Sequence, residues 1–445
     1  MDVTAMTMLY STLGDIYLNI SYFQLVVAII FMLISTYYYT YAIASMKIRG
    51  RKRSARLLWK NPPFITVMLP VYNERHVVNR LLSACVNLDY PRYEVMVLDD
   101  STDPYTISAI NKWRRHPRVK IIRRESRRGY KAGALNNGLK YIDPRSKLIA
   151  VFDADNVPPR DALWKLLWGF TDPGVAAVQG YVSHRLNVEL TNTAKATDAL
   201  LLVHYRSLMP ARDSVGGVVT VMGSAFMIRR DVLERIGGFS QKSITEDWNL
   251  TLRIYMSGYR VRYIEDLIVP AEGPVTIKDF LRQQMRWAEG TTRDTRRNIL
   301  KVLRSRRMSL RQKIDFLGQG FYGIYMIMAA ISFVAGLIQT FIGGLIWLLT
   351  GIQINPPLWM QVTMGLLGIY NLMPFTLHML IGLKRENKDI RWALHGSVLV
   401  MLMMPFVAYS AIRGLVAEKG VWVVTPKYGE KNVRKLRVKL DVGFG

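Results

Sequence analysis

The sequence predicts an α/β domain with a largely parallel sheet, carried between apolar helices long enough to cross a membrane. Three observations predict this. Short β-rich runs at residues 64–69, 94–98 and 147–152 alternate with helical-looking stretches at 77–88 and 105–114. That strand–loop–helix rhythm belongs to parallel sheets. Charge-free stretches at 16–46 and 316–383 exceed the roughly 20 apolar residues that a membrane helix needs. The composition joins 50% hydrophobic residues to a formal net charge of +27. Apolar spans and basic surfaces must therefore be segregated along the chain. The same figures exclude disorder of the whole chain. A length of 445 residues exceeds one ordinary core. A single cysteine, Cys85, excludes an intramolecular disulfide framework and a Cys-rich zinc site.

Taken in order, residues 1–15 read as an external N-terminus and 16–46 as a first transmembrane helix. A cleavable leader would need basic residues before a short apolar run, whereas Asp15 precedes a long one. The linker 47–62 carries Lys47, Arg49, Arg51, Lys52, Arg53, Arg56 and Lys60, so it and the domain after it are expected on the cytoplasmic side. Residues 63–277 form the α/β domain. Residues 278–315 are strongly basic and read as amphipathic helices at the membrane interface. The second apolar stretch is broken at Asn355-Pro356-Pro357, which gives two spans within 321–383. Residues 392–416 are apolar enough to cross, but Pro405 interrupts them. Crossing would also put the basic tail 417–445 outside. Charge decides here for an interface or re-entrant helix.

Three acidic loops follow three strands: Pro70-Val71-Tyr72-Asn73-Glu74, Asp99-Asp100-Ser101-Thr102-Asp103 and Asp153-Ala154-Asp155-Asn156. One such turn is usually a solvated loop or a helix cap. Three at strand ends share one sheet edge, where the ligands of α/β domains bind. Clustered carboxylates call for a hard divalent cation, Mg²⁺ or Mn²⁺, that shares its shell with substrate phosphates. Between the second and third loops, Arg127 to Asn136 offers Lys131 as a point charge and Gly133 for close backbone approach, without the Gly-Lys-Ser/Thr of a Walker loop. Thr245-Glu246-Asp247 is a further acidic station. In Gln283-Gln284-Met285-Arg286-Trp287, positions three and four apart place Gln283, Arg286 and Trp287 on one helix face. An arginine fork and an amide can hold a diphosphate, and an indole can stack on a sugar. The small residues Gly223-Ser224-Ala225 suit either an acceptor path or tight packing.

In this order and between membrane spans, the motifs resemble the membrane-embedded family-2 glycosyltransferases, which include cellulose, hyaluronan, chitin and mannan synthases and ceramide glucosyltransferase. The resemblance covers residues 64–429. It is closest to plant mannan and glucomannan synthases in Asp99-Asp100-Ser101-Thr102-Asp103-Pro104, in Gln283 to Trp287 and in Trp422-Val423-Val424-Thr425-Pro426-Lys427-Tyr428-Gly429, which also resembles the gating loop of bacterial cellulose synthase. It implies a GT-A (Rossmann-like) cytoplasmic domain. By the same resemblance Asp99, with the backbone of Tyr72, Asn73 and Glu74, holds the nucleotide base and Asp100 supports it. Lys131 and Gly133 meet the phosphates. Asp153 and Asp155 face the diphosphate through Mg²⁺ or Mn²⁺. Asp247 is the general base beside Glu246. Gln283 and Arg286 hold the diphosphate, and Trp287, Gly223 and Ser224 meet the acceptor. Thr425 and Lys427 close over the nucleotide.

The expected activity is inverting, processive polymerisation of a β-linked glucan or mannan from a UDP- or GDP-hexose at the cytoplasmic face of a plasma membrane. Three spans make a thin channel, so a polymer would call for several copies together. The rival is a single addition to a lipid. A nucleic-acid or anionic-lipid binder without catalysis would show basic patches but no ordered acidic constellation, so no nucleic-acid partner is expected. The enzymatic readings differ in what lies behind Trp287: a polar passage, for which Gln319, Gln339, Asn355, Gln361, Asn371 and His378 are the candidates, or an opening to lipid.

Overall fold

The computed structural model describes residues 3–48, 59–418 and 420. Its centre is a seven-stranded sheet in the order β3-β2-β1-β4-β6-β5-β7. The strands are β1 (Phe64–Val71), β2 (Tyr93–Asp99), β3 (Val119–Arg123), β4 (Ser146–Val151), β5 (Val175–Ser183), β6 (Phe226–Arg229) and β7 (Arg260–Pro270). β1 to β4 pair in parallel, β6 runs antiparallel to β4 and β5, and β5 and β7 are parallel to each other. The sheet is thus mixed beyond β4.

Side chains alternate across a strand, and the sheet separates two cores on that alternation. Ile65, Val67 and Leu69 join Val95, Val97, Leu148 and Ala150 on one face. They pack on helices α2 (Val78–Val86), α3 (Pro104–Asn111) and, beyond α4 (Tyr130–Leu139), on α5 (Ala162–Trp168). Met68, Met96, Leu98, Ile149 and Val151 face the other way, toward Leu135 of α4. That second core takes in residues of α6 (Asn192–Leu202), α7 (Met209–Val215), α8 (Arg230–Arg235) and α9 (Glu246–Met256). The lone thiol of Cys85 is buried in the first core.

The helical region consists of α1 (Val3–Lys47), α10 (Ile277–Arg304), α11 (Leu310–Gly320), α12 (Tyr322–Thr350), α13 (Leu358–Arg385) and α14 (Arg391–Val416). By length and composition α1, α12, α13 and α14 could each cross a membrane. α1 is continuous through the part expected to be an external N-terminus. Its 45 residues reach roughly 67 Å, more than twice a bilayer's hydrocarbon thickness. α14 runs unbroken through Pro405. It packs on α10, α12 and α6, so it binds the membrane helices to the α/β domain. α10 begins where Thr276 Oγ1 accepts the Asp279 N–H (3.1 Å), and α11 opens on a capping box between Ser309 and Gln312.

A buried ion pair ties these layers together. Arg212 of α7 donates to Asp315 of α11 at 3.1 Å, with the two side chains only 2% and 0% exposed. Tyr37 of α1 donates to the same carboxylate, and the Val218 N–H does so at 2.5 Å. Surrounding donors are what make such a buried carboxylate tolerable.

Candidate active site

The parallel strands β1, β2 and β4 end at one edge of the sheet, and a cavity of about 610 Å³ opens there. It runs from that edge past α9 and α10 to the helices α12, α13 and α14.

Its outer half is charged. Lys131 is the first position after Tyr130 on α4, a helix that starts from Gly129 at φ 75° and Tyr130 at φ 48°. This entry aims the Lys131 ammonium at Asp153 Oδ1 (2.6 Å) and the Gly223 carbonyl (2.8 Å), with Glu246 at 3.8 Å. Burial by itself would lower the Lys131 pKa, but Asp153, Glu246 and Asp247 more than offset it and hold it above its ordinary value. Gly223 sits at φ +78°, and a Cβ there would stand 3.1 Å from Asp247 Oδ2. A side chain at this position would be strained and would press on that carboxylate.

Glu246 and Asp247 open α9. The Trp248 N–H donates to Asp247 Oδ1 at 2.8 Å. Burial raises the pKa of both carboxyls, against the lowering pull of Lys131 and Arg286. α10 lies hard against this station: a Cβ on Gly290 would be 2.5 Å from Thr245 Cγ2. One turn earlier on α10, Gln283, Arg286 and Trp287 all line the cavity. Burial lowers the Arg286 pKa, and Glu246, Asp247 and Asp153 pull it back up. The guanidinium thus faces three carboxylates across the cavity.

The remaining expected site residues divide. Tyr72, Glu74, Asp100, Asp153 and Asp155 line the cavity, whereas Asn73, Asp99, Gly133 and Ser224 do not. Asp99 ends β2 and faces away from Asp100, as successive strand residues do. Arg123 holds it at 2.6 Å and the Ser101 N–H at 3.0 Å. Asn73, at φ 56°, accepts from the Thr102 and Asp103 N–H groups, both at 2.9 Å, and so staples the first acidic loop to the second. Gly133 packs under the Arg128 carbonyl, too close for any side chain. Ser224 accepts the Asp153 N–H at 2.9 Å and donates to Asn156, which props the third loop. Trp422, Thr425 and Lys427 lie outside the described residues.

Sequence reasoning missed Arg127 as a site residue. Its guanidinium stacks on Tyr72 at 3.3 Å from the ring centroid, and both line the cavity. Its place just before Gly129 in the loop that carries Lys131 was the available signal. His204 was missed too, and no sequence motif marks it.

Among the described residues no three His, Cys, Asp or Glu side chains converge into a closed metal cage. Asp153 is 39% exposed and Asp155 is buried two residues on, its Oδ2 accepting the Glu272 N–H at 3.0 Å. Two carboxylates on an open loop fit a cation whose shell is completed by substrate phosphates and water.

The inner half of the cavity is mostly apolar. Leu200, Leu201, Phe375, Val400, Met403 and Met326 form much of its wall. Of the polar candidates for a passage, Gln319 lines the cavity and donates to the Val218 carbonyl at 3.1 Å. The other candidates lie off its wall. Gln339 donates to Ser21 Oγ at 2.6 Å, Asn371 to the Ala28 carbonyl at 3.0 Å, and His378 bonds Ser207 Oγ at 2.7 Å. Those three pair between elements, as polar groups in helix bundles do. Gln361 donates to the Pro356 carbonyl of its own turn at 2.8 Å.

Comparison with known proteins gives a consistent picture. A family profile described as "Glycosyltransferase like family 2" matches residues 62–290. The chain is 27% identical to "Probable glucomannan 4-beta-mannosyltransferase 4" of Oryza sativa subsp. japonica over 85% of its own length and 68% of the relative's. It is 32% identical to "Probable glycosyltransferase YdaM" of Bacillus subtilis (strain 168) over 52% of its length and 56% of that protein's. The chain thus covers 68%, 50% and 56% of the length of three curated relatives. Among solved structures, a mannosyltransferase from Pyrobaculum calidifontis in complex with GDP-Man and Mn²⁺ superposes with a TM-score of 0.56 at 19% identity, covering 91% of this chain and 99% of that one. At that identity the likeness speaks for the fold, a GT-A-like α/β sheet.

Proposed function

The chain belongs to the glycosyltransferase-like family 2, and from that premise we propose inverting transfer of a hexose from a UDP- or GDP-sugar to an acceptor that enters from the membrane side. As a member it is a nucleotide-sugar-dependent hexosyltransferase. The observation that carries the reading is one cavity lined by Lys131, Arg286 and Asp247 at its outer end and by aliphatic side chains at its inner end.

In this mechanism the nucleotide lies against Tyr72, Arg127 and Asp100, with Lys131, Gln283 and Arg286 facing its diphosphate. The acceptor hydroxyl stacks its sugar or head group on Trp287 and attacks the anomeric carbon. Asp247 takes the hydroxyl proton as the new C–O bond forms. The bond from the anomeric carbon to the phosphate oxygen breaks, and its electron pair leaves with the nucleoside diphosphate. The raised Asp247 pKa brings the base closer to working pH, where general bases act best. Glu246 holds Lys131 between the base and the phosphates. Asp153 and Asp155 would hold Mg²⁺ or Mn²⁺, which when bound neutralises charge on the departing diphosphate.

The apolar inner wall supports a single addition to an acceptor with an apolar body. A second reading, polymerisation, draws on the likeness to plant glucomannan mannosyltransferases. It would extend a β-linked glucan or mannan, and would translocate it through the helices. In either reading the α/β domain is cytoplasmic and the helices sit in a plasma membrane, alone or as a homo-oligomer. Purified full chain in nanodiscs, given a panel of nucleotide sugars with Mg²⁺, Mn²⁺ or excess chelator, tests the common part. Release of nucleoside diphosphate from one donor, lost in chelator and restored by metal, is expected. No release from any donor, or full activity in chelator, would remove the mechanism or its metal.

A further inference from the structure

One polar group in the apolar half of the cavity plays no part in the mechanism above. His204 lies on a single π-helical turn, Val203–Leu208, between α6 and α7. The Met209 N–H closes the turn by donating to the His204 carbonyl. Such turns widen a helix by one residue and recur at functional sites. This one packs against α1 and α13, where the α/β domain meets the membrane helices. The imidazole lines the same cavity as Asp247 and Trp287. Its Nε2 is buried and has no hydrogen-bond partner among the described residues. Its ring meets Tyr205 edge-on at 5.4 Å, a contact that engages neither nitrogen as a hydrogen-bond partner.

Buried polar nitrogens in folded proteins are nearly always paired, by protein, water or ligand. On the wall of a cavity, a ligand is the natural partner. Burial first, and the nearby Arg212 second, push the His204 pKa down to about 3. The ring is therefore neutral, with one nitrogen that donates and one that accepts. Arg212, the adjacent cation, is already committed to Asp315. A hydroxyl suits either tautomer of this ring, because it can both give and take a hydrogen bond. Leu200, Leu201, Val203, Phe375, Val400 and Met403 line the same cavity and suit an apolar body beside that hydroxyl, with Thr197, Tyr322 and Gln319 as the neighbouring polar groups. Gln283 Oε1 is a second buried atom on this cavity's wall without a partner among the described residues, and it stands on α10 at the charged station.

We propose that His204 is an acceptor-positioning residue, hydrogen-bonding a hydroxyl of an amphipathic acceptor whose apolar body fills the inner half of the cavity. The inference rests on the transferase reading and names the acceptor's class: a hydroxyl-bearing head on an apolar chain.

The test uses the full chain in nanodiscs, with labelled octyl β-mannoside as probe and empty nanodiscs as background. Binding of the probe is measured beside binding of GDP and UDP. His204→Ala should weaken probe binding about ten-fold, the scale of one hydrogen bond. Affinity for the nucleotide should stay within about two-fold. His204→Gln, which keeps a donor and an acceptor, should recover most of the loss. Free mannose should bind far more weakly than the octyl glycoside. Equal probe binding by wild type and His204→Ala overturns the inference. So does equal binding of free mannose and octyl β-mannoside, or a parallel loss of nucleotide affinity that His204→Gln fails to rescue. Wild type that transfers sugar while its probe binding ignores His204 sinks this inference alone. Wild type that binds the probe through His204 yet releases nucleotide from no donor sinks the transferase reading and leaves the binding site.

Discussion

In the outer half of the cavity Lys131, Arg127 and Arg286 stand against Asp100, Asp153, Glu246 and Asp247, while the inner half is lined mostly by leucine, methionine, valine and phenylalanine, with His204, Gln319 and Arg212 among them. The first set is held by hydrogen bonds and ion pairs between loops at one sheet edge. The second is assembled mostly from α6, the π-turn, α12, α13 and α14. In the proposed transfer the difference follows from what each half must do. A bond that breaks to release a diphosphate develops charge, and fixed charges nearby stabilise it without reorganising. An acceptor's body develops no charge and needs only shape and exclusion of water.

The comparison breaks most directly at Asp247. Asp247→Asn keeps the shape and removes the proton acceptor, and turnover should fall ~10²–10⁴-fold. Nucleotide affinity, measured by equilibrium binding, should persist. Near-normal turnover would mean that the base is another group.

At the back of the inner half, Asp315→Ala would leave the Arg212 guanidinium buried and unpaired. That should cost roughly 3–5 kcal/mol of stability, seen as a lowered thermal midpoint in detergent. An unchanged midpoint would show that the junction between α7, α11 and α1 does not depend on this pair.

Much of the outer half was legible in the sequence because its residues cluster. Tyr72 and Glu74, Asp100, Asp153 and Asp155, and Gln283 to Trp287 each lie within one short loop or helical turn. A strand end or a helix face carries such a cluster to the cavity intact. The surroundings of Asp99 were less legible. The motif contains it, but its partner Arg123 comes from the next strand, and no local pattern reveals that pairing. The bridge that the Asn73 side chain makes between two loops is likewise invisible in the local pattern. The inner half was illegible because each element gives it only a few residues, and those are ordinary apolar positions of a helix face. The sheet was legible through β4. Nothing local announces that the short β6 inserts antiparallel between β4 and β5.

A smaller effect separates the two acids. Activity should fall on the acid side with an apparent pKa above the ordinary carboxylate range, because burial disfavours the ionised pair. The base works only when ionised, so activity is present above that pKa and lost below it. Glu246→Gln removes a like charge beside Asp247, which favours its ionisation. The acid limb of the pH–rate profile should therefore move to lower pH. A shift to higher pH would contradict the assignment. Smallest of all, Val400→Thr puts a hydroxyl in the apolar wall and should weaken octyl β-mannoside binding about three- to ten-fold. Nucleotide binding should not respond, and an equal loss of both would erase the distinction between the halves.

The central claim is that one cavity joins a charged donor site to an apolar acceptor chamber, and the product of the reaction tests it most directly. Full chain in lipid nanodiscs is given its labelled nucleotide sugar, the mixture is partitioned between organic solvent and water, and the product is sized. The account predicts label in the organic phase, on molecules that carry one or two sugars. Label in a long, solvent-insoluble glycan that an endo-β-glycanase shortens would contradict it.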